Sequence, residues 1–503
     1  MQRKQLTLVI VSLLVVVLSV SLAYFTAQII GKGKDVSVTS ANLQIVFTDS
    51  DGALTETDIE PGWQKTKTFT IKNDTKTEYK YNIVIKDLLN TFVTEGYLQY
   101  KITSTNDGYN MTEFKDIPKS SAPKDTILAY SVVIPNGVTQ NYTIEFKYAN
   151  DESVDQSDDM GKKLSGTLFI TEGTEQPTLL SQILNDNPTR NTRDTYNAVF
   201  TNNTTGTLFT ATEKNVHNIA DTTVYYYAGN TTNNWVKFGG FYWRIIRTNA
   251  DGSIRMLYSG TSHDTTSGYL STGESAFNSS YDSPKYVGYM YGENDDTLVN
   301  ARTNTNNSTI KTAIDNWYAS NMTSYTKYLS TTAVYCNDRT EQTAGAYNTG
   351  DSDFHFAPYA RAFTNFAPTY DCTEASDAFS VDNTSAKLTY PIALMTADEI
   401  MRAGGQGDAV LTSPYAWYYL NSANGSITGS KYWWLLSPFS WFGSSALVFF
   451  VYGSSGPGYL VYNIVYYTFG VRPALSLKSC VKYNTGNGSA SDPYTIEETS
   501  SGC

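Results

Sequence analysis

The sequence predicts a mainly β protein with some α structure: an N-terminal membrane helix, a β-sandwich and a C-terminal α+β domain. Three observations support this fold class. An uncharged apolar run occupies residues 6–23, apolar and polar residues alternate in short segments over 36–170, and residues 432–471 contain 14 aromatic side chains and no charged one. Alternation with a period of two is typical of half-buried strands.

Residues 1–30 are interpreted as a signal peptide or a membrane anchor. Arg3 and Lys4 precede the apolar run, whose 18 residues would make a helix of about 27 Å, enough to span a bilayer. Ser21, Leu22 and Ala23 also offer the small-x-small pattern of a cleavage site. We therefore expect the rest of the chain outside the membrane, either anchored or secreted after cleavage near Ala23.

The charge balance argues against a nucleic-acid partner. There are 48 acidic and 36 basic residues, a net charge of −12, and no basic run beyond the first few positions. Binding to phosphates needs the opposite balance. Only 17% of residues are charged and 39 are tyrosine, which is typical of an extracellular β-rich protein.

The four cysteines favour two disulfides over a metal site, because their number is even and no CxxC motif occurs. We predict the pairs Cys336–Cys372 and Cys480–Cys503, with Cα atoms about 4.4–6.8 Å apart. Four unpaired thiols are the alternative.

Residues 36–172 are predicted to form a β-sandwich, because seven strand-like segments follow one another between turn residues. The polar linker EGTEQP at 172–177 places the domain boundary. The acidic residues at 49–51 and 155–159 are interpreted as solvated turns in preference to calcium sites.

Residues 178–503 are predicted to form the second domain, with a loop-rich insertion around 260–430. A short helix is expected at 179–183 and irregular loops at 185–223. Apolar spacing predicts a helix at 308–322, and Thr396 with Glu399 makes a capping box.

The aromatic stretch has two interpretations. Trp, Tyr and Phe often pack a β core, but Tyr, Ser, Gly and Asn also dominate recognition loops. Alternation along a strand allows both, with one set of side chains inward and the other outward. We expect Trp434, Val448, Val451 and Val471 to point inward. The candidate ligand-binding residues are Phe439, Trp441, Phe442, Leu447, Phe450, Tyr452, Val461, Tyr462, Ile464 and Tyr466.

No catalytic or metal-binding motif is found, so neither an enzyme nor a cofactor is expected. His217, His263 and His355 lie in unrelated loops and are interpreted as surface residues. Arg244 and Arg472 stand inside apolar sequence, where a guanidinium needs a carboxylate partner. We expect both to be structural, with anion binding as the alternative.

The N-terminal part resembles the camelysin and TasA family of secreted bacterial matrix proteins, which implies a β-sandwich fold. The motifs that carry the resemblance are AYFT at 23–26, IEPG at 59–62, FTIKN at 69–73 and LSGTLFI at 164–170.

The C-terminal part resembles bacterial surface domains of the C-type lectin fold, in the branch like formylglycine-generating enzymes. The resemblance rests on WWLLSP at 433–438 and GVRPAL at 470–475, and it implies that the segment between them faces a ligand. This branch includes the variable proteins of diversity-generating retroelements, which implies that residues 439–466 are candidates for sequence diversification. The calcium signatures of lectins are missing.

These observations lead to three hypotheses about function. The first is a bacterial cell-surface binding or adhesion protein that displays an aromatic face to a protein or glycan ligand. The second is a structural matrix protein that polymerises through its β-sandwich. The third, an enzyme like the formylglycine-generating enzymes, has only fold-level analogy behind it.

Overall fold

The computed structural model describes residues 36–40, 43–49, 54–56, 59–217, 219–263, 271–407, 409–419, 432–453 and 456–503. The chain divides into two compact units with the boundary between Gln176 and Pro177. No helix within these ranges is long and apolar enough to cross a membrane. The predicted membrane segment, residues 1–30, lies outside them.

The described residues are mainly β, as the sequence predicts, and form several sheets. The strands of the first unit are β1 Val36–Ser40, β2 Leu43–Asp49, β3 Leu54–Glu56, β4 Gln64–Asn73, β5 Tyr79–Asn90, β6 Leu98–Ser104, β7 Lys115–Asp116, β8 Ser120–Ile134, β9 Thr139–Tyr148 and β10 Leu164–Glu172. One antiparallel sheet has the order β1-β2-β4-β9-β6-β7 and the other has the order β3-β10-β5-β8.

The two sheets of the first unit share one hydrophobic core. In β9 every second side chain is buried, including Tyr142, Ile144 and Phe146. These residues pack in the same cluster as Ile83 of β5 and Leu168 of β10, which belong to the other sheet. The alternating sequence therefore places one face of each sheet in a common interior.

Asp159, expected to be a solvated turn residue, is buried instead. Its carboxylate accepts hydrogen bonds from the backbone N–H of Val93 at 2.6 Å and from the hydroxyl of Tyr148 at 2.8 Å. Burial opposes its ionisation, but the hydrogen bonds outweigh burial and lower the pKa of Asp159. Asp159 thus links the loop that contains Val93 to Tyr148 in the core.

The second unit contains eighteen strands among its described residues. They are β11 Thr189–Asn191, β12 Thr207–Glu213, β13 Thr222–Tyr226, β14 Trp235–Phe238, β15 Phe241–Thr248, β16 Ile254–Tyr258, β17 Glu274–Ala276, β18 Met290–Tyr291, β19 Asn306–Asn307, β20 Tyr335–Cys336, β21 Phe354–His355, β22 Ala378–Phe379, β23 Ile392–Leu394, β24 Trp433–Trp441, β25 Ala446–Val451, β26 Leu460–Ile464, β27 Thr468–Gly470 and β28 Pro473–Leu477.

Two larger sheets organise this unit. An eight-stranded sheet has the order β11-β12-β13-β15-β16-β28-β23, with β14 also paired to β15. A six-stranded sheet has the order β17-β27-β24-β25-β26, with β21 also paired to β24. The predicted irregular loops at 185–223 are therefore wrong in part, because β11 and β12 lie there.

Five α-helices accompany these sheets in the described ranges: α1 Leu179–Asp186, α2 Leu298–Ala301, α3 Thr309–Asn321, α4 Ala357–Phe363 and α5 Ala397–Ala403. Helices α1, α3 and α5 confirm the three predicted ones. Thr396 accepts from the backbone N–H of Glu399, and the Glu399 side chain accepts from the backbone N–H of Thr396, so the capping box is present. Helix α4 was not predicted.

Both predicted disulfides are confirmed. Cys336 and Cys372 have Cα atoms 5.9 Å apart, and those of Cys480 and Cys503 are 5.7 Å apart. Such bonds are stable in oxidising compartments and rare in the cytosol. The two disulfides therefore indicate an oxidising, extracellular environment.

A buried ion network links α5 to the eight-stranded sheet. The carboxylate of Glu399 accepts from Arg247 at 2.9 Å and from Arg255 at 2.7 Å. Arg247 also donates to Glu213 at 3.1 Å, and all four side chains are at most 3% exposed. Burial favours the neutral acid, but attraction to Arg255 and Arg247 holds the pKa of Glu399 below its ordinary value of 4.5.

The network gives a first prediction. Changing Glu399→Gln leaves two buried guanidinium groups without their shared anion, so the free energy of unfolding at pH 7 should fall by about 3–5 kcal/mol. Urea unfolding followed by tryptophan fluorescence measures the change. Glu293→Gln, an exposed acid in the same unit, is the control and should stay within about 0.5 kcal/mol of wild type.

The lowered pKa of Glu399 also predicts how the stability of the protein depends on pH. A lowered folded-state pKa gives stability that is present above the ordinary pKa and is lost as the pH falls through the folded pKa. The stability gap between wild type and Glu399→Gln should therefore narrow below about pH 4. A gap that is unchanged between pH 7 and pH 3 would contradict this assignment.

Candidate recognition surface

The aromatic stretch of the sequence forms β24, β25 and β26 of the six-stranded sheet. Every residue of β24 and of β25 is buried. Strand β26 is the edge of the sheet, and four of its five residues are only half-buried. Exposure is therefore concentrated at one edge of the stretch.

The prediction that the candidates for diversification point outward is wrong for Phe439, Leu447 and Phe450, and Trp441, also a ligand-binding candidate, is buried as well. Phe439 and Trp441 are each 1% exposed, Phe450 is 3% exposed and Leu447 is 5% exposed. The burial expected of four others is confirmed: Trp434, Val448, Val451 and Val471 are all buried.

The physical reason is that both faces of the central strands are covered. Phe449 and Phe450 are neighbours on β25 and so point to opposite faces. The ring of Phe449 lies 6.0 Å from that of Phe363 in α4, and the ring of Phe450 lies 4.7 Å from that of Phe469. A strand packed on both faces has no outward set of side chains.

A group of half-buried rings borders Phe439 at the edge of the sheet. Tyr462 stacks on Phe439 with ring centroids 3.6 Å apart, and Tyr359 and Phe363 approach it edge-on at 5.2 and 5.8 Å. Phe439 is buried and forms the base on which these three rings pack. We define the aromatic ledge as His355, Tyr359, Phe363, Phe442 and Tyr462.

The ledge is uncharged at neutral pH. His355 stacks on Tyr359 with centroids 3.7 Å apart and an interplanar angle of 8°. Burial lowers the pKa of His355 below its ordinary value of 6.5, while Asp353 acts in the opposite direction. The imidazole is therefore mainly neutral at pH 7 and behaves as another aromatic ring.

Three exposed tyrosines form a second group, which we call the tyrosine triad: Tyr281, Tyr466 and Tyr467. They are 42%, 40% and 41% exposed, respectively. The rings of Tyr466 and Tyr467 stack with centroids 4.4 Å apart, and Tyr281 lies 4.9 Å from Tyr466. Among the large apolar side chains described in the second unit, only Val299 and Val410 are similarly exposed.

The ledge and the triad border the same turn, between β24 and β25. Ala446, which begins β25, pairs with Trp441 beside Phe442 of the ledge. The backbone N–H of Ala446 donates to Tyr281, and its carbonyl accepts from Val465, the neighbour of Tyr466. Both aromatic groups therefore lie near the same end of the sheet.

The remaining candidates are half-buried and stay predictions. Val461 and Ile464 lie on the edge strand β26. Tyr452 packs against Tyr432 at 4.6 Å and Phe450 at 5.9 Å, which places it on the face of the sheet away from the ledge.

Arg244 and Arg472 are both buried, and Arg472 has backbone carbonyl partners where a carboxylate was expected. Arg472 donates to the carbonyl oxygens of Tyr258 and Tyr418 and forms no ion pair within the described ranges. Arg244 donates to the side-chain oxygen of Asn234 at 2.6 Å and lies over the ring of Trp235. Burial lowers the pKa of each guanidinium to about 9, and for Arg244 repulsion by Arg472 contributes.

Among the described residues, no group of His, Cys, Asp and Glu could hold a metal ion. The small cavity beside Glu399 and Tyr370 has a volume of about 20 Å³, which holds about one water molecule.

Sequence reasoning missed His355, Tyr359 and Phe363 of the ledge, because α4 was assigned to a loop-rich insertion. The sequence did contain two signals of helix α4. Pro358 stands in the first turn of α4, where proline is favoured, and Tyr359 and Phe363 are spaced i, i+4 on one helix face.

The burial difference between the ledge base and the triad gives a prediction about stability. Phe439→Ala should lower the free energy of unfolding by about 3–5 kcal/mol, because it removes the buried base of the ledge. Tyr466→Ala, in the exposed triad, should stay within about 0.5 kcal/mol of wild type. Equal losses in urea unfolding would show that the assigned burial is wrong.

Comparison of the chain with protein-family models, with curated proteins and with solved structures gave no match in any of the three. The resemblances noted in the sequence therefore stay predictions. Any function assigned to this protein rests on the geometry of the ledge and the triad.

Proposed function

We propose that this protein is a bacterial cell-surface binding protein that recognises its ligand through the aromatic ledge and the tyrosine triad. The observation that carries the proposal is the clustering of Tyr281, Tyr466 and Tyr467 beside the ledge. Contiguous patches of exposed apolar side chains are found at interaction sites. Tyrosine is also enriched at interfaces, because it gives a broad contact area at a low entropy cost.

The exposed area of the triad limits the binding free energy that it can contribute. Each triad tyrosine exposes about 40% of its surface, or about 80 Å² of a fully exposed side chain of about 200 Å². Burying all three would contribute about 6 kcal/mol, against an association cost of about 4–15 kcal/mol. The triad alone is therefore too small, and the ligand must also contact the ledge.

The rest of the chain has a supporting role in this proposal. The apolar run at 6–23 exports or anchors the protein, the first unit acts as a stalk, and the second unit is a C-type-lectin-like head. The two disulfides support an extracellular location. The uncharged ledge supports a ligand, protein or glycan, that is held mainly by contact area.

The proposal predicts the behaviour of a triad variant. Changing Tyr281→Ser, Tyr466→Ser and Tyr467→Ser together should lower binding of the fluorescently labelled full chain to bacterial cells by at least about tenfold, because three interface aromatics are lost. The double variant Val299→Ser and Val410→Ser removes exposed apolar groups elsewhere and is the matched control. Protease treatment of the cells tells a protein ligand from a glycan.

The result that would overturn the proposal is a triad variant that binds cells as well as the control. Far-UV circular dichroism of both variants checks that each is folded. Because all five residues are exposed, we expect both variants to keep the wild-type spectrum.

A further inference from the structure

A second feature of the C-terminal unit, separate from the ledge and the triad, is an open cleft of about 620 Å³. It lies where the edge strand β11 ends and the loop 192–206 leads into β12. The volume falls within the range of about 300–1,000 Å³ that is usual for small-molecule sites. The cleft is thus large enough for a ligand of a few rings.

Most side chains that line the cleft are polar and uncharged. Asn191, Thr192, Asn202 and Thr204 line it and are exposed. Within the described ranges no protein group donates to or accepts from these four side chains. An amide offers a donor and an acceptor side by side, and a hydroxyl offers both at one atom. This set matches the adjacent hydroxyl groups of a sugar, each of which also donates and accepts.

Residues 200–203, which form one wall of the cleft, are held in place by hydrogen bonds to the rest of the unit. The backbone N–H of Phe200 donates to Gly404 at 2.9 Å, and Asn230 donates from its backbone N–H to Thr201 at 2.9 Å. The next residue, Asn203, donates from its side chain to the carbonyl of Ala228 at 3.0 Å. A wall fixed in this way lowers the entropy cost of binding.

The cleft also contains one positive charge and no negative one. Arg193 lies with its guanidinium carbon 4.5 Å from the ring centroids of both Tyr196 and Phe200. Its Nη1 donates to the carbonyl oxygen of Arg402 at 2.7 Å, which positions the group without neutralising it. No residue in the described part of the chain forms an ion pair with Arg193, and none of the lining residues is acidic.

A neighbouring cation strengthens the positive potential at this place. The guanidinium of Arg402 also lies over the ring of Tyr196, at 5.4 Å. Two guanidinium groups therefore share one aromatic ring on a protein whose net charge is −12. An anionic ligand gains from this arrangement.

These features select among ligand classes. An apolar peptide would strip water from four polar side chains without replacing it. A neutral sugar would bury the charge of Arg193 without a counterion, and polyphosphates are bound by several cations or a backbone nest, which one arginine does not supply. We propose that the cleft binds an oligosaccharide that carries a carboxylate, with Arg193 paired to the carboxylate, the amides and hydroxyls bound to sugar hydroxyls, and the ring of Phe200 against a sugar face.

Trigalacturonic acid and its methyl ester form a matched pair of probes, since esterification removes the charge of the carboxyl groups and leaves the sugar hydroxyls unchanged. In calorimetric titration of the full chain, the acid should bind saturably and the ester at least about tenfold more weakly, because a charge-assisted hydrogen bond is lost. Raising the salt concentration should weaken binding of the acid. Absent binding of the acid, or equal affinity for the acid and the ester, would overturn the proposal.

Variants locate the site. Arg193→Gln should lower affinity for the acid by at least about tenfold, and Asn202→Ala should lower it several-fold. Asn197→Ala is the control, because Asn197 is exposed in the same loop but does not line the cleft. If Asn202→Ala and Asn197→Ala both bind like wild type, the site is elsewhere and the proposal fails.

The outcome does not depend on whether every variant folds or on the function proposed above. If Arg193→Gln does not fold, the comparison of acid and ester on the wild-type protein still decides. The triad variant should bind the acid as wild type does, since Tyr466 and Tyr467 lie in the turn between β26 and β27 of the six-stranded sheet, whereas β11 and β12 belong to the eight-stranded sheet. Loss of cell binding with retained acid binding would separate the two sites.

Discussion

Coverage of β24 and β25 on both faces is the constraint on which the C-terminal unit depends. Helix α4 packs on one face through Phe363, and Phe469 packs on the other against Phe450. The aromatic stretch is therefore first a core, and only the edge strand β26 and the adjoining turns remain for recognition. A rigid base under partly exposed rings is also what an interface anchor requires, because little conformational freedom is then lost on binding.

Features set by local chemistry could be predicted from the sequence. The capping box at Thr396 depends on two residues three positions apart, and four cysteines without a CxxC motif left few pairings to consider. The side-chain orientation at Phe439 and Phe450 depended on α4 and Phe469, which no local pattern connects to them. One signal was available: Ala446–Val451 is apolar throughout, and strands buried on both faces read as continuous apolar runs.

The buried charges show the same division between local and distant causes. Apolar surroundings correctly predicted that Arg472 is buried, but not that the carbonyl oxygens of Tyr258 and Tyr418 accept its hydrogen bonds. Glu399 was found as a helix cap, yet it also bridges Arg247 and Arg255 from the eight-stranded sheet. One carboxylate thus caps a helix and takes part in a buried ion network. The second role cannot be predicted from the sequence, because it depends on residues that are distant along the chain.

The aromatic side chains of β24 and β25 are buried, whereas those of the triad are exposed. Hydroxyl-radical footprinting of the full chain, read by mass spectrometry, tests this contrast, because the reaction follows side-chain accessibility. We expect rapid oxidation of Tyr281, Tyr466 and Tyr467 and strong protection of Phe439 and Trp441. Oxidation of Phe439 and Trp441 at the rate of the triad would contradict it.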